Sequence, residues 1–313
     1  MFDAHVHFIP RAVMEWLQEN PGRVDARLEP RVPGKRDFLV VEGRWAFELK
    51  DAFTDEDLFL REQQEAGVRH SLVSPVPQLF LYEKPVEVTR EAAAVYNDAL
   101  VDWVSRHPDR LSALGTVPLN DGEAAAAELA RAMDRGLKGA IVGPGYGEKL
   151  LSDPSLRPFW EEADRRSAVV FLHPLLNDDP RLKRRQMPNM IGVPWETTIS
   201  AVDLILSGHL DRYPRVKILL AHGGGFLPYQ IGRLNKGYEQ WPAVRADVQA
   251  PPGQYLGRFW YDTVLWSDAA LGYLASLVGE ERLVPGSDYP FDLSAWPPAM
   301  GDAPGFRSLL GIG

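Results

Sequence analysis

Short apolar runs alternate with longer amphipathic segments along the whole chain, and this alternation constrains the fold more than any other feature. Eight runs have the length and composition of buried strands, at residues 2–7, 68–74, 111–117, 138–142, 168–173, 216–222, 258–262 and 282–287. Helical periodicity occupies the segments between them, at residues 55–66, 90–106, 122–135, 158–166, 196–212, 227–238 and 269–279. Strand–helix alternation predicts a parallel α/β sheet, and eight strands predict closure into a (β/α)8 TIM barrel.

The competing α/β architecture is an open, doubly wound sheet. That fold carries a Gly-x-Gly-x-x-Gly turn after an early strand, and no early strand is followed by one in this sequence. A glycine-rich segment does follow the fourth run, at residues 143–147, but its spacing is that of a turn. The barrel is therefore the predicted fold.

Two regions depart from a regular barrel. About 45 residues separate the first strand from the first helix, and within them residues 38–41 and 44–48 flank Glu42-Gly43, a two-residue hairpin turn. This predicts a small β insertion after strand 1, at about residues 8–52, over the barrel mouth. Only 25 residues follow Asp288, with four prolines among them, so the C-terminal helix is predicted to be reduced. We expect residues 1–313 to form one domain.

Composition excludes several classes of partner. The net charge is −9 and no basic cluster is large enough to follow a phosphate backbone, so we expect no nucleic-acid partner. There is neither a signal-peptide pattern nor a run of about 18 apolar residues, so we expect no membrane association. The chain has no cysteine, which excludes disulfides and thiolate metal ligands and fits a cytoplasmic protein.

A pair of histidines ends the first predicted strand. Phe2, Ala4 and Val6 alternate with polar residues, which is the period-two pattern of a strand, so His5 and His7 point to one face. Two imidazoles on one face can share a metal ion. The pair gains significance because further metal-binding residue types end other predicted strands.

Barrel enzymes carry their catalytic groups at the C-terminal ends of the strands. In this sequence those ends hold five good ligands or bases: His5, His7, His173, His222 and Asp288. A catalytic metal takes three or four protein ligands and keeps one position open, so we do not expect all five residues to be ligands. His5, His7 and His173 supply neutral imidazoles, and Asp288 supplies a carboxylate that can also bind the catalytic water.

His222 is left as the general acid/base, because the three glycines after it allow substrate to approach closely. Asp3 lies on the same face as the histidine pair, and we interpret it as orienting a ligand or bracing the strand. Lys138 occupies the start of its strand, which is the wrong end for a residue that bridges two metals. One divalent ion is therefore expected, with zinc as the first expectation and manganese as the second.

Together these segments resemble the amidohydrolase superfamily, and within it the branch typified by 2-amino-3-carboxymuconate-6-semialdehyde decarboxylase. The resemblance rests on DAHVH at 3–7, LHP at 172–174, AHGGG at 221–225 and GSDYPF at 286–291. Further matches are GVPWETT at 192–198, SGHLDRYP at 207–214 and YQIGR at 229–233, so the resemblance spans about residues 1 to 292.

The resemblance implies the same four metal ligands, with His222 as the acid/base. It also implies a substrate-carboxylate arginine in the long first loop, where Arg44 is the nearest match, and a pocket wall at Phe291. It further implies a homodimer in which Arg233 reaches the neighbouring subunit's pocket. The chain departs from the family at residues 175–193, which lack tryptophan and carry a basic run at 181–185. That run is either a solvated loop face, the favoured interpretation, or a second carboxylate clamp.

The predicted activity is metal-dependent, non-oxidative decarboxylation of a small unsaturated or aromatic carboxylic acid. Arg44 and the run at 181–185 predict a locally positive mouth that suits such a small-molecule carboxylate. The alternative is hydrolysis of a lactone or amide at the same site, which the ligand set does not distinguish. A third hypothesis is a catalytically silent metal-binding barrel, and the presence of all five polar groups argues against it.

Overall fold

A computed structural model describes residues 1–311 of the chain. Eight parallel strands form the barrel: β1 (Phe2–His7), β5 (His70–Ser74), β6 (Leu111–Ala113), β7 (Gly139–Val142), β10 (Val169–Leu172), β11 (Lys217–Leu220), β12 (Phe259–Asp262) and β13 (Leu283–Val284). The remaining strands are β2 (Ala26–Glu29), β3 (Phe38–Val41), β4 (Trp45–Glu48), β8 (Gly145–Tyr146) and β9 (Lys149–Leu150).

The barrel strands form two parallel sheets, ordered β1-β5-β6 and β13-β12-β11-β10-β7. Parallel bridges at Gly115–Ala140 and Val6–Tyr289 join the two sheets into a ring. Backbone hydrogen bonds strengthen both junctions, because the Ile141 amide donates to Gly115 at 2.9 Å and the His7 amide donates to Tyr289 at 2.9 Å. The predicted α/β barrel is confirmed.

Helices connect the strands: α1 (Arg11–Glu19), α2 (Glu56–Glu65), α3 (Val86–Arg106), α4 (Gly122–Asp134), α5 (Arg157–Arg166), α6 (Val193–Leu206), α7 (His209–Arg212), α8 (Leu227–Gln240), α9 (Asp268–Val278) and α10 (Gly305–Leu310). Asp55, Asp121 and Ser267 cap α2, α4 and α9 by accepting a backbone N–H. The predicted helix at 196–212 is two helices, because Gly208 between them has φ +69°. In residues 1–311 no helix is both long enough and apolar enough to cross a membrane.

The predicted insertion contains the antiparallel sheet β2-β3-β4, and its hairpin turns at Glu42 and Gly43 with φ of 55° and 61°. It also contains α1, which the sequence analysis did not predict. Lys35 and Lys50 of this insertion pair with Asp292, in the segment that follows β13, at 3.1 and 3.0 Å. These ion pairs fix the insertion to the same end of the barrel as Asp288.

The C-terminal helix is reduced to the six residues of α10, as predicted. Phe306 on this helix stacks on Phe2 of β1, with ring centroids 4.6 Å apart. Strand β13 has only two residues where six were predicted. The chain beyond it still follows β1, since the Ala4 amide donates to Pro285 at 2.7 Å and the Asp288 amide donates to His5 at 2.7 Å.

Candidate metal centre and active site

The five polar side chains predicted from the strand ends lie together at the C-terminal mouth of the barrel. Ring centroids are 5.0 Å apart for His5–His7 and His5–His173, and 5.1 Å apart for His7–His173. His222 lies 5.3 Å from His5 and 5.4 Å from His173. His5 and His7 are fully buried, and none of the five residues is more than 9% exposed. The structure therefore assembles the whole predicted set.

Hydrogen bonds fix the orientation of three of these imidazoles. Nδ1 of His5 lies 2.6 Å from the Asp262 carboxylate, Nδ1 of His7 lies 3.0 Å from the Pro75 carbonyl, and Nδ1 of His173 lies 2.8 Å from the Pro174 carbonyl. These oxygens only accept hydrogen bonds, so each Nδ1 carries the proton and donates it. Each Nε2 then presents a lone pair, which is the form that binds a metal.

The lone pairs converge without a donor between them. Nε2 of His5 and Nε2 of His7 are 3.1 Å apart, and Oδ1 of Asp288 lies 3.1 and 3.3 Å from these two atoms. Within residues 1–311, Nε2 of His173 and Oδ1 of Asp288 are buried with no hydrogen-bond partner. Buried acceptors facing one another are strongly unfavourable unless a cation lies among them. The donor set therefore fits a divalent metal ion.

Two oxygens of Asp288 face different partners. Oδ1 faces His5 and His7, whereas Oδ2 lies 3.6 Å from Nε2 of His222. Ligand atoms of His5, His173, His222 and Asp288 all lie within 4.8 Å of one another. His7 is outside that set, but its Nε2 lies 3.1 Å from Nε2 of His5 and 3.3 Å from Oδ1 of Asp288.

The buried negative charges of the site also favour the binding of a cation. Burial by itself would raise the pKa of Asp288, but the neighbouring His5 and His222 hold it well below its usual range. Burial likewise opposes ionisation of Asp262, and the contact with His5 outweighs burial and lowers that pKa. Burial disfavours a charged His5, yet Asp288 and Asp262 together raise its pKa to about 10, so a metal ion that binds Nε2 of His5 must displace a proton from it. Two ionised carboxylates in a buried site match the charge of one divalent ion.

His173 differs from His5, because its pKa is lowered and that of His5 is raised. Its pKa lies well below the ordinary value because burial disfavours the charged ring, and His5, His7 and His222 repel a further positive charge. His173 is therefore neutral at physiological pH, as a metal ligand must be.

Asp3 braces the strand and does not bind a ligand imidazole. It is fully buried, and its carboxylate accepts the His5 amide at 3.2 Å and the Ser287 hydroxyl at 2.5 Å. Burial raises its pKa to about 7, against the opposing hydrogen bonds from Ser287 and His5. Of the two functions considered for Asp3, the structure shows the bracing one. Asp262 orients the His5 ring, and the sequence analysis missed it although it ends the seventh predicted strand.

The three glycines after His222 also have a backbone function that the sequence analysis did not predict. Residues 222–225 have φ of 53°, 61°, 78° and 62°, a conformation that L side chains rarely adopt. A Cβ on Gly225 would lie 2.2 Å from the Pro194 carbonyl, and one on Gly223 would lie 2.7 Å from Leu265. The glycines are therefore required for backbone conformation and close packing.

A cavity of about 250 Å³ opens at the same end of the barrel. Arg44 lines it and pairs with Glu83 and Asp178, while its guanidinium carbon lies 4.4 Å from the Trp45 ring. The charged residues around the cavity are the acids Glu42, Glu83, Glu148, Asp178 and Glu196 and the bases Arg44, Lys84 and Lys149. Acids outnumber bases, so the expectation of a locally positive mouth is wrong for this cavity.

The basic residues of the run at 181–185 are solvent-exposed and do not line the cavity. Arg181 pairs with Asp179 within its own loop. The run is thus a solvated loop face, the favoured of its two interpretations. Lys138 precedes β7 and is exposed, at the end of the barrel opposite the metal donors.

Aromatic rings border the candidate metal centre on two sides. Phe291 lies 5.2 Å from His7 and also contacts Phe53 of the insertion at 4.9 Å. Trp266, which the sequence analysis did not single out, stacks on His222 with ring centroids 6.5 Å apart, and this residue is 58% exposed. Arg233 lies on the exposed side of α8. These contacts place an aromatic ring against His7 and another against His222.

Comparison with protein families gives a match to the model described as Amidohydrolase over residues 2–307. The chain is 33% identical over 305 residues to the 2-amino-3-carboxymuconate-6-semialdehyde decarboxylase of Dictyostelium discoideum, covering 95% of this chain and 84% of that protein.

Solved structures with the same fold include 5-carboxyvanillate decarboxylase from Sphingomonas paucimobilis. It matches with a TM-score of 0.80 and 24% identity, over 100% of this chain and 93% of that one. The 5-carboxyvanillate decarboxylase of Novosphingobium aromaticivorans, complexed with manganese and 4-hydroxy-3-methoxy-5-nitrobenzoic acid, matches with a TM-score of 0.79 and 20% identity, over 94% of this chain and 87% of that one. These likenesses establish the fold.

Proposed function

The chain belongs to the amidohydrolase family, and from that membership we propose that it is a metal-dependent, non-oxidative decarboxylase. Its substrate would be a small unsaturated or aromatic carboxylic acid. The observation that carries the proposal is the convergence of three imidazole lone pairs and a buried, ionised carboxylate at the barrel mouth, with His222 at the second carboxylate oxygen. The relative from Dictyostelium discoideum, named as a decarboxylase, supports the choice of reaction.

We propose one divalent cation, held by His5, His7, His173 and Asp288. A bound cation would supply positive charge that polarises the oxygen atoms of the substrate. Imidazole and carboxylate ligands suit zinc, which stays the first prediction. The manganese complex of the Novosphingobium aromaticivorans enzyme supports manganese as the second.

The reaction replaces a carbon–carboxylate bond with a carbon–hydrogen bond and releases carbon dioxide. His222 would donate the proton that the substrate carbon accepts, and Asp288 would hold the His222 imidazole in place through Oδ2. Phe291 against His7 would form one wall of the substrate pocket. We place the protein in the cytoplasm, in line with its lack of cysteine.

The excess of acidic residues around the cavity favours a second candidate, the hydrolysis of a neutral lactone or amide at the same site. A panel of conjugated and hydroxylated aromatic acids, lactones and amides separates the two. Carbon dioxide is measured with the acids, and proton release at constant pH with the lactones and amides. Carbon dioxide release that stops when the metal is removed supports the decarboxylase. Turnover of lactones or amides without carbon dioxide release supports the hydrolase.

Arg44 is proposed to bind the substrate carboxylate, since it is the cavity's arginine and its planar fork matches a carboxylate. Replacement of Arg44 with alanine is expected to raise KM by about 10- to 100-fold, because a bidentate charged contact is lost. Metal content should not change, since Arg44 contacts no metal donor. Steady-state kinetics and elemental analysis measure the two quantities.

A matched variant tests the Arg44 contact from the opposite side. Asp178→Asn removes one of the two carboxylates that compete for the guanidinium, so it should lower KM for the same substrate. An unchanged KM in Arg44→Ala would show that the carboxylate binds elsewhere.

We also propose a homodimer in which Arg233 approaches the partner subunit's pocket. Large apolar side chains are exposed on α8 and α9, with Tyr229 at 80%, Tyr273 at 43% and Leu277 at 37%, and Tyr229 lies near Arg233 along α8. Sedimentation should give a dimer for the wild type, and a charge introduced by Tyr229→Asp should dissociate it.

Leu28→Asp is the control for this interface, because Leu28 is an exposed apolar residue of the insertion sheet at 48% exposure. It should leave the dimer intact. Arg233→Ala should keep the dimer and lower activity, so a monomeric wild type with full activity in Arg233→Ala would exclude the arrangement.

A further inference from the structure

Asp262 lies at the end of β12, and its carboxylate is fully buried. Oδ2 accepts from Nδ1 of His5 at 2.6 Å and from the His222 amide at 2.8 Å. Oδ1 accepts from the Gly223 amide at 2.9 Å and from the Val264 amide at 3.2 Å. Each oxygen thus accepts two hydrogen bonds. One carboxylate contacts both β1 and the loop that follows β11.

The backbone that Asp262 holds is in an unusual conformation. His222 has φ +53°, which non-glycine residues seldom adopt, and Gly223 has φ +61°. Two successive amides therefore point at one carboxylate, an arrangement that suits an anion. On the other side of the loop, Leu265 packs where Gly223 lacks a side chain. These contacts hold the backbone from which the His222 ring projects.

We propose that Asp262 is a positioning residue that couples the two halves of the site: it holds the His5 ring through Nδ1, so that Nε2 faces the metal site, and it holds the backbone that carries His222 for proton transfer. This inference rests on the proposed function for the role of His222. The part that concerns His5 depends only on metal binding.

The replacement Asp262→Asn distinguishes this coupling from a general need for a buried polar residue. An amide has one acceptor oxygen, so its NH2 group must face two of the four donors. If it faces His5, it donates to Nδ1 and moves the ring proton to Nε2, which blocks the metal-binding nitrogen. If it faces Gly223 and Val264, it repels both amides and releases the His222 loop.

Asp3 offers a matched control on the same strand as His5. It is equally buried, but it accepts only one amide and one hydroxyl, and it makes no contact with the His5 ring. An asparagine at this position can keep both contacts, since the Ser287 hydroxyl can rotate to accept from the amide. Asp3→Asn makes the same carboxyl-to-amide replacement without disturbing either imidazole.

Zinc affinity of the metal-free, full-length protein is the first measurement, made by competition with a chromogenic chelator. Asp262→Asn should bind zinc about 10- to 100-fold more weakly than the wild type, as expected for loss of an outer partner of a metal ligand. Asp3→Asn should stay within about threefold of the wild type. Wild-type zinc affinity together with wild-type kcat in Asp262→Asn, or equal losses of zinc affinity in Asp262→Asn and Asp3→Asn, overturns the coupling.

Kinetics at saturating zinc form the second measurement. Asp262→Asn should lower kcat at least about tenfold with little change in KM, because the substrate-binding residues are untouched. Asp262→Asn added to His222→Asn should cause no further decrease in kcat, while it should still weaken zinc binding. An equal kcat loss in both backgrounds would show that Asp262 does not act through His222.

Two outcomes separate this inference from the proposed function. Weakened zinc binding in Asp262→Asn, with no decarboxylation by the wild type, overturns the proposed reaction and leaves the positioning of His5 supported. If Asp262→Asn does not fold, Asp262→Ser, which leaves room for a water, takes its place in both measurements. Failure of both variants to fold while Asp3→Asn folds would make Asp262 a structural carboxylate and overturn the proposal.

Discussion

The double variant His5→Ala/His7→Ala is expected to bind no stoichiometric metal and to lose all measurable activity. Both imidazoles present Nε2 to the same point as Asp288, so their removal takes away half of the proposed ligands. Elemental analysis after dialysis measures the metal, and thermal unfolding with and without added zinc measures its contribution to stability. At a metal concentration about 1,000 times the dissociation constant, the wild type should gain about 4 kcal/mol in unfolding free energy, and the variant should gain none.

His70→Ala/His107→Ala is the matched control, since it also removes two imidazoles. His70 lies at the start of β5, where it contacts Ser112 and Asp109, and His107 follows the end of α3. This variant should keep its metal and its zinc-dependent stabilisation. Full metal content in His5→Ala/His7→Ala, or a metal held by other side chains, would contradict the proposed ligand set.

Strand-end residues could be identified from the sequence because two simple rules combine. Period-two patterning places His5 and His7 on one face, and the barrel brings every strand's C-terminal end to one mouth. His173, His222 and Asp288 could therefore be grouped although they are far apart in the chain. The other three histidines, His70, His107 and His209, do not end a predicted strand, and none of them belongs to the donor cluster of residues 1–311.

The function of Asp262 could not be read from the same pattern. Its strand-end position was visible, but its partners His5 and His222 lie 257 and 40 residues away in the sequence. Which oxygen faces which donor depends on the backbone of residues 222–225, and left-handed φ at His222 leaves no sequence signature. Only the glycines after it hint at such a turn.

The charge of the mouth was mispredicted for a related reason. Arg44 was expected to make the mouth locally positive, but the fold brings Glu83 and Asp178 to it from two other loops. Counting charges along the chain does not reveal such pairs. The nine-residue helix α1 was missed for a different reason, because it lies inside the segment that was predicted to be a β insertion.

His222→Asn is expected to lower kcat by about 100- to 10,000-fold while leaving the metal in place, since a positioned acid/base contributes about that much. Asparagine is chosen because it tolerates positive φ better than alanine, and His222 has φ +53°. The substitution therefore removes the imidazole with little strain in the loop that Asp262 holds. Turnover and metal content of the same preparation are measured together.

The interpretation of His222→Asn depends on whether the variant retains the metal. His222 faces Oδ2 of Asp288 at 3.6 Å, whereas His5 and His7 face Oδ1, so removal of the His222 ring should leave the proposed ligands complete. Free imidazole added to His222→Asn should restore part of the rate, because the lost group is a proton donor and not a ligand. Loss of the metal from this variant would instead place His222 among the ligands, and the acid/base would then have to be sought among other residues of the mouth.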